Sequence, residues 1–368
     1  MDLGNLINID VLRKYENDGL IQKQSHPSLP LYIWNYTRTC QYDSKWDDIT
    51  LNCRALVTDN NGNIVARGFK KFFNLEELKP EEIPNEPFEV FEKLDGSLIL
   101  AFQYNNNWII CSRGSFTSDY AIEAEKLFYE LKYDEKLDNE GHTYIFEYCS
   151  HWNRIVVNYD KERLVLLGLI DSKRGIEVNI QPLASDFFQK EVGFLDVVKK
   201  YDGINDYTNL RNIYNGDNRE GFVIRFKSGF RLKMKYEEYV RLHRIVTNIT
   251  TYDIWEYLKD GKKIESLLEN VPDEFDAWVK NKIKDLNYAY YSVYNYLGKT
   301  HDYFRYGKYN DIYPEPTKKD FAIYIKKSYD KKYHGILFAM WDKNKDLENK
   351  LIWDLVKPKF EKPKYEKQ

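Results

Sequence analysis

The sequence predicts an α+β chain, with a large domain of antiparallel sheets flanked by helices and then a smaller all-helical domain. Three observations predict it. Tight-turn sequences recur between short apolar runs through the first two-thirds of the 368 residues, as in antiparallel hairpins. One long stretch inside that part carries helical rather than strand periodicity. Beyond about residue 245 the alternating pattern stops and amphipathic helix patterns follow one another.

The hairpin turns are Asp59-Asn60-Asn61-Gly62-Asn63, then Asn105-Asn106-Asn107 between Leu98–Tyr104 and Trp108–Ser112, then Lys227-Ser228-Gly229 between Phe222–Phe226 and Phe230–Lys235. A helix is predicted over Ser118–Tyr133, where Ala121, Ala124, Leu127, Phe128 and Leu131 recur at helical spacing. Further helices are predicted over Ile254–Leu268, Glu274–Tyr296, Lys318–Lys327 and Leu347–Val356. Pro272 suits a first turn, and Thr317 with Asp320 has the spacing of a capping box. The expected domains are therefore residues 1–245, residues 246–356 and a basic, Pro-interrupted tail at 357–368.

With 55 basic and 58 acidic side chains, a nucleic-acid partner is not announced by global charge, so any basic footprint must be local. No run approaches the roughly 20 apolar residues of a membrane span. The start, Met-Asp-Leu-Gly-Asn, lacks the charged and apolar regions of a secretory signal. Cys40, Cys53, Cys111 and Cys149 lie far apart with no CxxC pair, which indicates neither a zinc site nor a disulfide framework. A soluble chain of a reducing, cytoplasmic compartment is expected, without a membrane or an obligate protein partner. The 31 tyrosines are read mainly as the product of an A- and T-rich genome, with base-stacking platforms as the alternative for a few.

The sharpest local feature is Glu92-Lys93-Leu94-Asp95-Gly96-Ser97, which sets an amine at a strand end before a tight turn. Arg219-Glu220-Gly221 precedes a hairpin whose return strand is Arg231-Leu232-Lys233-Met234-Lys235. At a period of two, Arg231, Lys233 and Lys235 share one face, and three like charges there repel unless an anion sits among them. A solvated edge strand is the plain alternative. Glu147 ends the apolar run Tyr144-Ile145-Phe146, where a carboxylate needs hydrogen bonds or a cation.

In chain order, Lys93-x-Asp95-Gly96, Phe146-Glu147, Glu220-Gly221 and Lys233-x-Lys235 resemble motifs I, III, IV and V of the covalent nucleotidyltransferases. That superfamily contains DNA ligases, RNA ligases and mRNA capping enzymes. Cys53-Arg54, Lys71-Phe72-Phe73-Asn74-Leu75, Ser112-Arg113-Gly114-Ser115, Asn153-Arg154-Ile155-Val156 and Lys233–His243 bring the resemblance closer to the phage single-strand RNA ligases of the T-even type, over roughly residues 30–245. The ending Leu351-Ile352-Trp353…Lys357-Pro358 is similar to the tails of some phage ligases.

The resemblance implies a nucleotidyltransferase (ATP-grasp-like ligase) fold and a three-step reaction. Lysine takes AMP from ATP, passes it to an RNA 5′-phosphate, and a 3′-hydroxyl then displaces it. The implied cofactors are ATP and Mg²⁺, with Mn²⁺ as a substitute. The implied partner is RNA with 5′-phosphate and 3′-hydroxyl ends, cleaved tRNA included, in a bacterial or phage-infected cytoplasm. Lys93 is the implied nucleophile, Glu147 holds the ribose hydroxyls, and Glu220 helps to place the metal. Lys71 lies by the β- and γ-phosphates, Lys233 and Lys235 by the α-phosphate, and Arg54 by the nucleotide and the 5′-phosphate end. Trp34 packs near the nucleotide. Since a free lysine has a pKa of about 10.4, crowding by cations is expected to lower that of Lys93.

Two departures stand out. Arg113 replaces the lysine of the phage relatives, and their C-terminal acidic pair for a second metal has no clear match around Asp260–Glu265. Three rival readings remain. A DNA ligase or a GTP-dependent capping-type enzyme would continue past Lys235 into a five-stranded barrel. A non-catalytic nucleotide- or RNA-binding module would be expected to have lost one of the charged motif residues. An ordinary α+β protein would need all the ordered matches to be accidents.

Overall fold

The computed structural model describes residues 7–137, 141–151, 154–184, 195–214, 217–262, 268, 271, 273–306 and 316–362. Asn153, Pro272, residues 263–267 of one predicted helix and residues 363–368 of the tail lie outside the described residues. The chain forms two compact units, the larger closing at Val240 and the smaller beginning at Arg241.

Among the described residues, the larger unit is built on three sheets. The first has the order β1-β2-β3-β4, from Ile21–Ser25, Leu31–Tyr36, Arg54–Asp59 and Ile64–Ala66. The remaining strands are β5 (Phe73–Asn74), β6 (Phe88–Lys93), β7 (Ser97–Tyr104), β8 (Asn107–Ser112), β9 (His142–Cys149), β10 (Arg163–Asp171), β11 (Glu177–Val178), β12 (Lys200–Tyr201), β13 (Gly221–Phe226) and β14 (Arg231–Lys235). They form two five-stranded sheets of order β11-β10-β9-β7-β8 and β12-β6-β13-β14-β5. Among the described residues, only β14 and β5 pair in parallel within the sheets. The main core lies under β7, β9 and β10, where Phe128 and Tyr133 pack against Phe146.

The predicted turns join strands as expected. Asn105 and Asn106 both adopt positive φ, 51° and 63°, as a two-residue turn between β7 and β8 demands. Gly62 turns β3 into β4 at φ 85°. The predicted helix over Ser118–Tyr133 is Asp119–Glu130, with the Ser118 side chain accepting the Ala121 N–H as its N-cap.

One connection positions the site. β6 belongs to one five-stranded sheet and β7 to the other, so Leu94-Asp95-Gly96 carries the chain between them. Lys93, the last residue of β6, therefore stands where the two sheets part.

The smaller unit is helical, and no strand follows Lys235 among the described residues. Its helices are Thr251–Lys259, Asp273–Tyr306, Lys318–Ser328, Lys331–Trp341 and Lys345–Leu355, preceded by Glu237–Asn248, within which the two units meet in sequence. Thr317 and Asp320 form the expected capping box. Three expectations are corrected. The helix placed at Ile254–Leu268 ends at Lys259, where Asp260 is the C-cap and Gly261 takes φ 66°, a left-handed stop that glycine permits. The helix placed at Glu274–Tyr296 runs to Tyr306, because Leu297 and Thr300 are buried and packing carries the helix past Gly298. Lys331–Trp341 is an unforeseen helix: Gly335 looks like a breaker in sequence but sits close against Leu351 of the next helix.

Candidate active site

The strand register assembles the charged centre. Gly221 pairs with Lys93 on one side and with Lys235 on the other. Glu220, the residue before it, is therefore flanked by two lysines from different strands. Its Oε2 lies 2.7 Å from Lys93 Nζ and its Oε1 lies 2.6 Å from Lys235 Nζ, and the residue is 3% exposed. Gly221 has φ 154°, and a Cβ there would meet the Met234 carbonyl oxygen at 1.9 Å, so only glycine lets β13 and β14 close at this point.

Glu147 enters from β9, paired with Leu98 of β7, and its Oε1 accepts the Gly96 N–H at 3.1 Å. A Cβ at Gly96 would meet the Tyr148 carbonyl oxygen at 2.4 Å, which makes glycine the fit for this crossing. Burial pushes the Glu147 carboxyl up to about 7, opposed by Lys93 and reinforced by Glu220.

Asp95 is 3% exposed and works as a structural clasp. Its Oδ2 accepts the N–H groups of Val156 and Val157, each at 3.0 Å, and its Oδ1 accepts the Tyr239 hydroxyl at 2.7 Å. Its own N–H donates to the Tyr159 hydroxyl at 2.9 Å. Asp95→Ala would strand two buried amides and a phenol, and a loss of about 3 kcal/mol is expected, read by urea unfolding. Asp95→Asn keeps an acceptor for the amides and a donor towards Tyr239, so it should cost clearly less.

Arg54 reaches the site through a bulge. Asn35 pairs with Arg54 and Trp34 with Leu56, which leaves Ala55 as an extra residue at φ 62°. Asn35 holds the bulge: its Oδ1 accepts the Ala55 N–H at 3.0 Å and its Nδ2 donates to the Arg113 carbonyl at 2.9 Å. One buried amide thus fixes the backbone beside both arginines.

A cleft of about 510 Å³ opens beside this centre. Lys93, Glu147, Arg54, Arg113, Lys233 and Arg231 supply its charged wall, and Phe69, Phe72, Phe91, Leu98, Leu167 and Val223 its apolar one. A planar apolar group and an anion would both find complementary surface there. Lys71, Lys235 and Glu220 adjoin the cleft without lining it. Lys71 lies over the Phe73 ring at 4.5 Å, and its pKa is lowered by burial, with Arg54 and Arg113 adding to the effect against Glu77.

Two of the three like charges on this strand are neutralised by the chain itself. Arg231 pairs with Glu177, which also pairs with Arg225, and Lys235 pairs with Glu220. Lys233 has no carboxylate partner among the described residues. Burial, with Lys71, Lys93, Lys235 and Arg54 nearby, pulls its pKa down to about 7. A polyphosphate bound beside it would raise that pKa again. Uptake of on the order of one proton per bound pyrophosphate is expected just above pH 7, measured calorimetrically in buffers of different ionisation enthalpy.

Two sequence expectations change here. Burial does press the pKa of Lys93 downwards, but Glu220 and then Glu147 outweigh it and the net shift is upwards. The lysines made less basic, by burial first and by neighbouring cations second, are Lys233 and Lys71. Trp34 does not line the cleft: it is 1% exposed, packs in the core cluster with Leu12, Ile21 and Leu56, and its Nε1 donates to Thr58 Oγ1 at 2.9 Å. Alternation along β2 turns Asn35, its neighbour, towards the site instead. Asn35, Tyr159 and Tyr239 carried no distinct signal in the sequence; Asp95 did, as part of Lys-x-Asp-Gly, but its clasping role did not show.

A lysine at the parting of two five-stranded sheets, with motif carboxylates and cations gathered round it, defines the nucleotidyltransferase class. Within that class, residues 52–239 match the RNA ligase family, and the chain belongs to that family. It is 26% identical to an RNA ligase of Rhodothermus phage RM378, over 90% of each chain. Among solved structures it is similar to an archaeal ATP-dependent RNA ligase, with a TM-score of 0.48 and 13% identity over 76% of each chain. It is also similar to a Naegleria gruberi RNA ligase variant solved with ATP and Mn, with a TM-score of 0.34 and 18% identity over 45% of this chain and 53% of that one.

Proposed function

We propose that this RNA ligase uses ATP and a divalent metal to form a lysyl-AMP bond on Lys93, then spends it to join RNA ends. The observation that carries the reading is the Lys93 ammonium, held 2.7 Å from Glu220 beside a cleft with a cationic wall. Lys93 Nζ would lose a proton and attack the α-phosphorus of ATP, forming the N–P bond as the bond to pyrophosphate breaks. Arg54, Lys233 and Lys235 would offset charge on the phosphates, with Lys71 towards the β- and γ-phosphates. Glu147 would accept from the ribose hydroxyls. Arg113 is a further cation on the nucleotide side.

Among the described residues no group of three or more His, Cys, Asp or Glu side chains could hold a metal ion. A hydrated Mg²⁺ that keeps most of its waters needs only one carboxylate, and Glu220 fits that role by releasing Lys93. Such an ion, when bound, would supply Lewis-acid stabilisation of the phosphates and favour the neutral amine of Lys93.

The finer reading is transfer of AMP to a 5′-phosphate, attack by a 3′-hydroxyl, and cleaved tRNA as a substrate in a bacterial or phage-infected cytoplasm, with the helical unit selecting the RNA. Among the described residues no helix is long and apolar enough to cross a membrane. The test is incubation with α-labelled ATP and Mg²⁺ or Mn²⁺, followed by a denaturing gel and a chase with RNA. Label retained on the chain, then passed to 5′-phosphorylated RNA and released as AMP when that RNA circularises, is the expected result. Label from GTP alone would replace the reading with a capping-type transfer, and no label from either would overturn it. Efficient sealing of nicked duplexes with cleaved tRNA ignored would remove the tRNA assignment.

A further inference from the structure

The helical unit carries a local basic surface that the cleft does not use. Between helices Lys318–Ser328 and Lys331–Trp341 the chain reads Lys326-Lys327-Ser328-Tyr329-Asp330-Lys331-Lys332-Tyr333, four lysines against one aspartate in a protein of net charge −3. All four lysines are exposed. Lys332 approaches Asp330 at 3.9 Å, and the other three have no carboxylate partner among the described residues.

The turn is built rather than loose. Tyr329 and Thr300 of the long helix Asp273–Tyr306 share a hydroxyl hydrogen bond of 2.7 Å, and His334 Nε2 donates to the Tyr329 carbonyl at 2.8 Å. The Tyr296 ring lies 5.9 Å from that of Tyr329 and 6.1 Å from that of Tyr333. Lys332 Nζ stands 4.9 Å over the Tyr333 ring. On the same long helix Tyr296 and Tyr303 are each 53% exposed. Exposed lysines on an anchored turn, with exposed tyrosines on the long helix that the turn is bonded to, combine the two elements that hold single-stranded nucleic acid without reading its sequence, phosphate neutralisation and base stacking. Because the turn is already anchored, its backbone needs little reordering on binding.

We propose that Lys326, Lys327, Lys331 and Lys332, with the faces of Tyr296 and Tyr303, form a docking surface for a single-stranded segment of the RNA substrate. This rests on the reading of the chain as an enzyme that joins RNA ends, and it places part of RNA recognition on the helical unit.

The test uses the full chain and a 20-nucleotide 5′-phosphorylated single-stranded RNA, with binding followed by anisotropy between low and moderate KCl. Combining Lys326→Gln, Lys327→Gln, Lys331→Gln and Lys332→Gln is expected to flatten the plot of log affinity against log salt by about 2 to 3, at about 0.7 per lost phosphate contact. Replacing the same four lysines with arginine should keep both slope and affinity. Tyr296→Ala with Tyr303→Ala should weaken binding by roughly thirtyfold or more at an unchanged slope. An unchanged slope in the glutamine variant, or a lost slope in the arginine variant, would overturn the proposal. Labelling of Lys93 with ATP, run on the same preparations, reads the cleft alone. Absent labelling of the wild type would count against the proposed function and leave the RNA comparison intact.

Discussion

Lys93→Arg is expected to carry no AMP label at any pH up to 10, a loss of at least about 10⁴-fold relative to the wild type. The guanidinium would keep the ion pair with Glu220, so the fold and the charge of the site should survive. It cannot supply a lone pair, because its pKa exceeds about 12. Lys93→Ala should lose label equally but also leave Glu220 facing Lys235 alone. The wild-type profile follows from the direction of the shift on Lys93. Glu220 and Glu147 raise its pKa above the ordinary lysine value, so the amine is protonated at neutral pH and labelling should rise steadily between pH 7 and 9. Rapid-quench measurement of label on the gel band, with both variants across that range, checks the result. Label on Lys93→Arg would move the nucleophile elsewhere, with Lys233 as the next residue to test.

Glu220→Gln is expected to slow labelling by roughly 10² to 10³-fold at pH 8, through position rather than basicity. Glutamine keeps the shape but removes the charge that holds Lys93 and Lys235. Loss of that carboxylate lowers the pKa of Lys93, so the labelling profile should shift towards acid even as its plateau falls. These two effects have opposite signs on the rate at neutral pH, and the profile separates them. Glu220→Asp should recover part of the plateau, because it restores the charge one methylene short. A plateau left unchanged in Glu220→Gln, with only an acid shift, would show that Glu220 governs protonation and has no part in positioning. The buried glutamate also has its own stability consequence. Lys93 and Lys235 outweigh the effect of burial and lower its pKa, so its contribution to folding is present above the ordinary carboxylate pKa and lost as acid protonates it.

Legibility differed from residue to residue for physical reasons. Lys93, Glu220 and Lys235 were readable because each sits at a strand end or in a strand, where a period of two and a nearby glycine announce its direction. Asn35 was not, because its role depends on a one-residue bulge at Ala55, and nothing in the alternation of β2 or β3 marks that bulge. Trp34 faces the core because regular alternation along β2 turns its neighbour Asn35 to the site, and the expectation for Trp34 rested on resemblance and not on strand phase. The helix Lys331–Trp341 escaped notice because Gly335 lowers helix propensity, while its packing against Leu351 is a contact made only after folding.

By itself the sequence determined the fold class, the turns at Gly62, Asn105 and Asn106, the capping box at Thr317, and the family to which residues 52–239 belong. These depend on local propensity, periodicity and short ordered motifs, all of which are written along the chain. Only the tertiary structure decided which charges neutralise one another. Glu177 and Arg231 are 54 residues apart and Glu220 and Lys93 more than twice that, yet each pair touches. Those choices turned the expected basicity around, raising the pKa of Lys93 and lowering that of Lys233. The physical reason is that a pKa answers to charges within a few ångströms and to burial, and both are set by sheet register and packing between distant strands.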